Sequence, residues 1–246
     1  MTKTLSYFLT PLFYFCFGIA LLIFHPVQWL CFRVFGYNAH RISVAILNLC
    51  LMRSTAILGT TYDIRISKNV PKNKALIFVS NHQSMYDIPP FIWSLRAFHP
   101  KFVSKKELGK GIPSVSYNLR HGGSVLIDRK DTRQALSEIG KLGKYIEKHQ
   151  RSAVIFPEGT RSRDGHPKAF KSMGVKILCK NAPSALLVPV SINNSWKLLR
   201  YGKFPYGLGV KFKVTVHDPI PQTKDFNTLF AQVEETITNG ILHPNE

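Results

Sequence analysis

The run Ala75-Leu76-Ile77-Phe78-Val79-Ser80 ends in Asn81-His82-Gln83-Ser84-Met85-Tyr86-Asp87, an imidazole followed five residues later by a carboxylate. If the run is a strand, Asn81 and His82 stand at the carboxyl edge of a sheet, where open α/β folds place their active sites. On one continuous helix, residues five apart point about 140° away from each other, so His82 and Asp87 meet only across a strand-to-helix turn. Pro89 and Pro90 suit the first turn of the helix that follows, where a missing N–H is tolerated. A carboxylate so placed holds one ring nitrogen as donor and leaves the other as a base. The spacing also arises by chance, so the pair alone fixes no function.

Two further strand ends carry polar residues. Phe156-Pro157-Glu158-Gly159-Thr160-Arg161-Ser162 follows the apolar Ala153-Val154-Ile155. Gly159 permits close backbone approach, Thr160 and Ser162 offer hydroxyls, and Arg161 can bind phosphate in a fork; the plain alternative is a charged turn. Gly123-Ser124-Val125-Leu126-Ile127 closes in Asp128-Arg129, with Lys105-Lys106-Glu107-Leu108 upstream. Arg129 reads either as a second phosphate ligand or as a solvated turn residue paired with Asp128 or Asp131. Together the three ends give a base, an anion cradle and a hydroxyl-rich loop on one face.

The elements that must position them follow from periodicity. Short apolar runs alternate with amphipathic segments after Tyr62, the pattern of an α/β domain. The strands are expected at Tyr62 to Ser67, Ala75 to Ser80, Lys101 to Ser104, Ser124 to Ile127, Ala153 to Phe156, Leu186 to Ile192 and Gly209 to His217. Several are apolar on both faces, as central strands are. Helices are expected after a cap at Asp131, burying Leu136, Ile139, Leu142 and Ile146, then over Lys171 to Cys179 and Asp225 to Ile241.

The N-terminus differs. No residue from Thr4 to Phe32 carries a formal charge, which exceeds the ~18 residues of a membrane-helix candidate. The stretch is also longer than the ~7 to 15 apolar residues of a signal peptide. Pro11 and the His25-Pro26 step predict a kinked or broken helix. A second apolar segment, Ile42 to Leu58, carries Asn48 and Arg53 and suits an interfacial or returning helix. The chain therefore divides into apolar anchoring helices over residues 1–60 and an α/β domain over 61–246.

Lys and Arg number 33 against 14 Asp and Glu, a net +19 that calls for an anionic partner. Nucleic acid is the poorer choice, because the aromatics concentrate in the apolar N-terminus and do not interleave with a basic stripe. An anionic membrane surface and a phosphorylated or acidic donor fit better. The four cysteines show no CxxC spacing, so neither a zinc site nor a disulfide framework is indicated. There is no GxSxG elbow, HExxH or P-loop, which weakens a hydrolase built on Ser84 or Ser124.

The ordered blocks resemble the 1-acyl-glycerol-3-phosphate acyltransferase family over roughly residues 60 to 220. Asn81-His82 through Asp87 is similar to its NHxxxxD block. Lys105 to Leu108, Pro113 and Gly123 to Arg129 are similar to its second, Phe156 to Ser162 matches FPEGTRS, and Val188-Pro189-Val190 matches the fourth. The resemblance implies a glycerolipid acyltransferase fold, a mixed, mostly parallel sheet flanked by helices, with membrane-associated N-terminal helices. It implies His82 as general base, Asp87 orienting it, and Lys105, Arg129, Glu158, Gly159, Thr160 and Arg161 binding the acceptor. The donor would be acyl-CoA or acyl carrier protein and the acceptor 1-acyl-glycerol-3-phosphate, with glycerol-3-phosphate, a lyso-ornithine lipid or another lysophospholipid as alternatives. No cofactor or metal is implied, and the setting would be the cytoplasmic face of a bacterial-type inner membrane.

Overall fold

The computed structural model describes residues 2–242. Seven strands form one sheet: β1 (Thr61–Ile66), β2 (Leu76–Ser80), β3 (Pro100–Lys105), β4 (Val125–Ile127), β5 (Ser152–Ile155), β6 (Leu186–Asn193) and β7 (Lys211–Val216). Their spatial order is β1-β7-β6-β2-β5-β3-β4, and every pairing is parallel except β6 with β7. The sheet is thus mixed and mostly parallel, as expected, and the carboxyl ends of β2 to β6 share one edge. The expected strands fall within two residues of the observed ones, because continuous apolar runs mark strands buried on both faces. β2 and β5 are buried throughout, and β6 from Leu187 on.

Alternation along the strands separates two cores. Leu76 and Phe78 of β2 face a cluster with Val154, Val188 and Phe212. Ile77 and Val79 face the other, with Ile139, Leu142 and Ile146 of α4 (Thr132–His149), Val175 and Leu178 of α5 (Ser172–Asn181), and Val233 and Ile237 of α6 (Phe226–Asn239). The expected cap at Asp131 forms, its carboxylate accepting from the Gln134 N–H at 2.9 Å, and Asp225 caps α6 in the same way. A short helix that sequence periodicity does not announce, α3 (Val115–His121), follows Ser114, whose φ is 62°.

α1 runs over Thr2–Ser54 and corrects one expectation. The chain stays helical through Pro11 and Pro26, and the break falls at Gly36, with φ 75° and ψ −165°. A proline removes one helical hydrogen bond, a loss a long apolar helix absorbs, whereas this φ/ψ pair is open essentially to glycine alone. Among the described residues one helix is long and apolar enough to cross a membrane. Its most apolar window has a mean hydropathy of 2.1 and is 11% buried. Phe8, Phe15, Leu22 and Phe35 all point outward. The helix is nevertheless tied to the domain at Phe13, which is fully buried against Phe17, Tyr86 and Tyr206; burial of one such ring contributes about 1.5–3 kcal/mol. Thr10 Oγ1 accepts from the Tyr206 N–H at 2.9 Å beside it.

Replacing Gly36 by Ala should destabilise the protein by about 1–3 kcal/mol, because the break demands backbone angles an L-residue resists. Gly18→Ala, in uninterrupted helix with open space where its Cβ would stand, should stabilise by up to ~1 kcal/mol. Calorimetry of both variants in detergent checks the pair; equal stabilities would contradict a break at Gly36.

Candidate active site

β2 ends at Ser80 and the chain turns through extended residues into a 3₁₀ turn, Met85–Asp87, that leads directly into α2 (Ile88–Ser94). Pro89 and Pro90 lie in the first turn of α2, as expected. Ser84 caps the 3₁₀ turn, its Oγ accepting from the Tyr86 N–H at 3.1 Å. This geometry brings His82 Nδ1 to 2.7 Å from Asp87 Oδ2. A carboxylate only accepts, so Nδ1 carries the proton and Nε2 is left with a lone pair.

Asp87 is fully buried and its charge is held by many donors. Oδ2 also accepts from the Gln83 and Ser84 N–H groups at 2.8 and 3.0 Å, and Oδ1 accepts from the Ser84 and Ser195 hydroxyls. Ser195 follows β6, and the Gln83 Oε1 accepts from its N–H at 3.1 Å. Asn81 turns the other way, exchanging hydrogen bonds with both the N–H and C=O of Ile192. The imidazole is stacked on Phe156, with ring centroids 4.1 Å apart and planes inclined by 19°.

The FPEGTRS segment clamps this turn. The His82 N–H donates to Glu158 Oε1 at 2.7 Å, Glu158 Oε2 accepts from the Lys168 N–H at 2.9 Å, and the Ser162 N–H donates to the His82 carbonyl at 2.8 Å. Glu158 is 3% exposed, and its burial raises the carboxyl pKa above the ordinary value, a shift that the two N–H donors oppose. Both its oxygens are occupied by the main chain, so the structure places it as a brace behind His82 and not on the wall of the adjoining cavity.

That cavity has a volume of about 480 Å³. His82, Lys105, Arg129, Gly159, Thr160 and Arg161 all line it, so the structure brings these expected residues together. Arg129 is not taken up by the neighbouring acids: Asp128 pairs with Lys106, and Asp131 caps α4. Lys105 meets Glu107 at 3.2 Å on the rim. Partial desolvation lowers the Arg161 pKa, with Asp87 opposing and Arg129 and Arg163 adding to it. Arg163 and Lys171 join this rim without having been expected from sequence; a basic residue two positions past Arg161 was the available signal for Arg163. Its apolar lining includes Leu47 and Leu51 of α1, Ile88 and Ile92 of α2, and Phe102 of β3, with Gln28 and Asn48 of α1 also on the wall. The serines considered as nucleophiles are otherwise engaged: Ser84 Oγ faces Asp87, and Ser124 Oγ accepts from the Phe102 N–H at 3.1 Å.

An oriented imidazole at a sheet edge, beside a cavity lined by both cations and apolar side chains, is the site that this α/β fold assembles. A family model described as Acyltransferase matches residues 62–193, more than half of the chain, and the chain belongs to that family. It is 36% identical over 135 residues to a 1-acyl-sn-glycerol-3-phosphate acyltransferase of Helicobacter pylori, covering 52% of this chain and 54% of that one. It is 30% identical over 155 residues to a protein of the same name from Borreliella burgdorferi, covering 63% and 60%. The chain thus spans between 54% and 60% of the length of these curated relatives. The crystal structure of the 1-acyl-sn-glycerophosphate (LPA) acyltransferase PlsC from Thermotoga maritima superposes with a TM-score of 0.78 at 26% identity, covering 98% of this chain and 96% of that one.

Glu158→Gln should cost about 1–3 kcal/mol, since an amide can accept from only one of the two buried N–H groups that the carboxylate now satisfies. The drop in Tm, measured alongside Glu138→Gln, a carboxylate of α4 whose partner is the exposed Lys141, checks it; equal small effects would deny the brace.

Proposed function

We propose that the protein transfers an acyl group from a thioester donor, acyl-CoA or acyl carrier protein, to the sn-2 hydroxyl of 1-acyl-glycerol-3-phosphate, giving phosphatidic acid. The observation that carries this reading is the His82–Asp87 pair at 2.7 Å, opening on a cavity lined by several cations and by many apolar side chains. The names of the relatives support the same substrate.

The acceptor phosphate lies against Arg161 and Arg129, where charge-assisted hydrogen bonds are strongest. Its glycerol hydroxyl reaches Nε2 of His82, which takes the proton as the oxygen attacks the thioester carbonyl. The tetrahedral intermediate then expels the thiolate, which takes from His82 the proton that the hydroxyl gave up and leaves as the thiol. A hydroxyl is a poor nucleophile at neutral pH, and a positioned base contributes ~10² to 10⁴ in rate. Phe156 covers one face of the imidazole and excludes water there. A thioester is already activated, so the chemistry asks for neither a metal nor an acyl-enzyme. The acyl chain packs on the apolar lining of the cavity, and α1 seats the protein in the membrane from which lipid arrives, at the cytoplasmic face of a bacterial-type inner membrane.

His82→Ala should lower turnover of lysophosphatidic acid by ~10² to 10⁴ while the protein still folds, and Ser84→Ala and Ser124→Ala should keep substantial activity. Arg161→Gln should raise the acceptor KM roughly 10- to 100-fold, the ~1.5–3 kcal/mol of one charged hydrogen bond. Steady-state assays of purified protein against an acceptor panel test both; no turnover of lysophosphatidic acid, or near-normal turnover by His82→Ala, would sink the reading.

A further inference from the structure

A second cationic pocket lies at the opposite end of β3 from the dyad. Lys105, where β3 closes, lines the large cavity, whereas Lys101 lines a smaller one near the start of the strand, about 13 Å away at the rise of an extended chain. The smaller pocket has a volume of about 30 Å³, roughly twice what one water needs. Its walls include Tyr37, His40 and Arg41 of α1, just past the break at Gly36, together with His99 and Lys101, and the exposed Arg96 stands at its mouth.

The pocket collects positive charge with no counterion among the described residues. Lys101 is 5% exposed, and its ammonium lies 4.8 Å from the centre of the Tyr37 ring. Arg151 covers the same ring at 4.0 Å. Among the described residues none of Arg41, Arg96, Lys101 or Arg151 belongs to an ion pair. Burial, with Arg151 and Arg41 adding to it, pulls the Lys101 pKa down to about 7. His40 is 1% exposed and neither ring nitrogen has a hydrogen-bond partner; Arg41 Nε has none either. Buried cations and imidazoles left unpaired are costly, and a bound anion relieves that cost. Phe35 and Ile42 flank this stretch of α1 and point outward at 67% and 51% exposure, so the pocket adjoins the apolar surface that meets lipid.

We propose that this pocket is a second anion site, separate from the cation rim at His82, that takes a phosphate oxyanion, carried by a phospholipid headgroup or free in solution, and thereby fixes the junction at which α1 turns. Arg41, Lys101 and His40 supply the donors such a group needs, while His99 Nδ1 is engaged by the Tyr37 hydroxyl at 3.2 Å.

The test uses the full chain in neutral detergent with Arg129→Gln and Arg161→Gln, which remove cations of the first site. Tm is followed against inorganic phosphate, with chloride matching ionic strength, and separately in micelles doped with phosphatidylglycerol or phosphatidylcholine. At tenfold the Kd, Tm should rise by roughly 3–5 °C. Lys101→Met, and independently the half-buried Arg41→Gln, should abolish the rise. A response to inorganic phosphate identifies the free ion as sufficient; a response to phosphatidylglycerol alone identifies the headgroup, and either result upholds the site. No rise with either probe, or a rise that survives Arg41→Gln and any folded Lys101→Met protein, overturns it.

Discussion

A buried charge must be matched where it stands, and the Asp87 carboxylate is the charge around which this site is built. Its donors come from the turn that contains it, through Gln83 and Ser84, from His82, and from Ser195 just past the end of β6. Each bond constrains a different element. The two N–H groups set the path of the chain leaving β2, the Ser195 hydroxyl ties that path to the neighbouring strand, and Nδ1 of His82 fixes the plane and tautomer of the ring.

The same logic explains why two motifs lie some seventy residues apart in the chain but touch in space. β2 and β5 are adjacent and parallel, so their carboxyl ends deliver His82 and Glu158 to one place. Glu158 and Ser162 then hold the N–H and C=O of His82 from opposite sides. One segment therefore supplies both the brace behind the His82 imidazole and, through Arg161, a cation on the wall of the adjoining cavity. α1 enters through Phe13, which packs on Tyr86, the residue next to Asp87, so seating of the apolar helix and the geometry of the dyad share a contact.

Much of this was legible in the sequence, and the exceptions have physical causes. Strands buried on both faces announce themselves as unbroken apolar runs, and the turn between His82 and Asp87 follows from helical geometry and two prolines. Ser195 was not legible, since its contact with Asp87 spans 108 residues and depends on strand order. Glu158 was expected at the acceptor by resemblance, while its oxygens face main-chain donors that no sequence pattern displays. α3 is too short for periodicity to show. The break in α1 falls at Gly36 and not at the prolines because backbone angles, which composition does not reveal, decide it.

The central claim is that His82 activates the acceptor for direct attack, with no acyl group passing through the protein. Thiol release from an acyl thioester, followed with and without lysophosphatidic acid, tests it most directly. The account predicts release that requires the acceptor and no acyl adduct on the intact protein by mass spectrometry. A stoichiometric burst of thiol without acceptor, leaving an acylated protein, would contradict it.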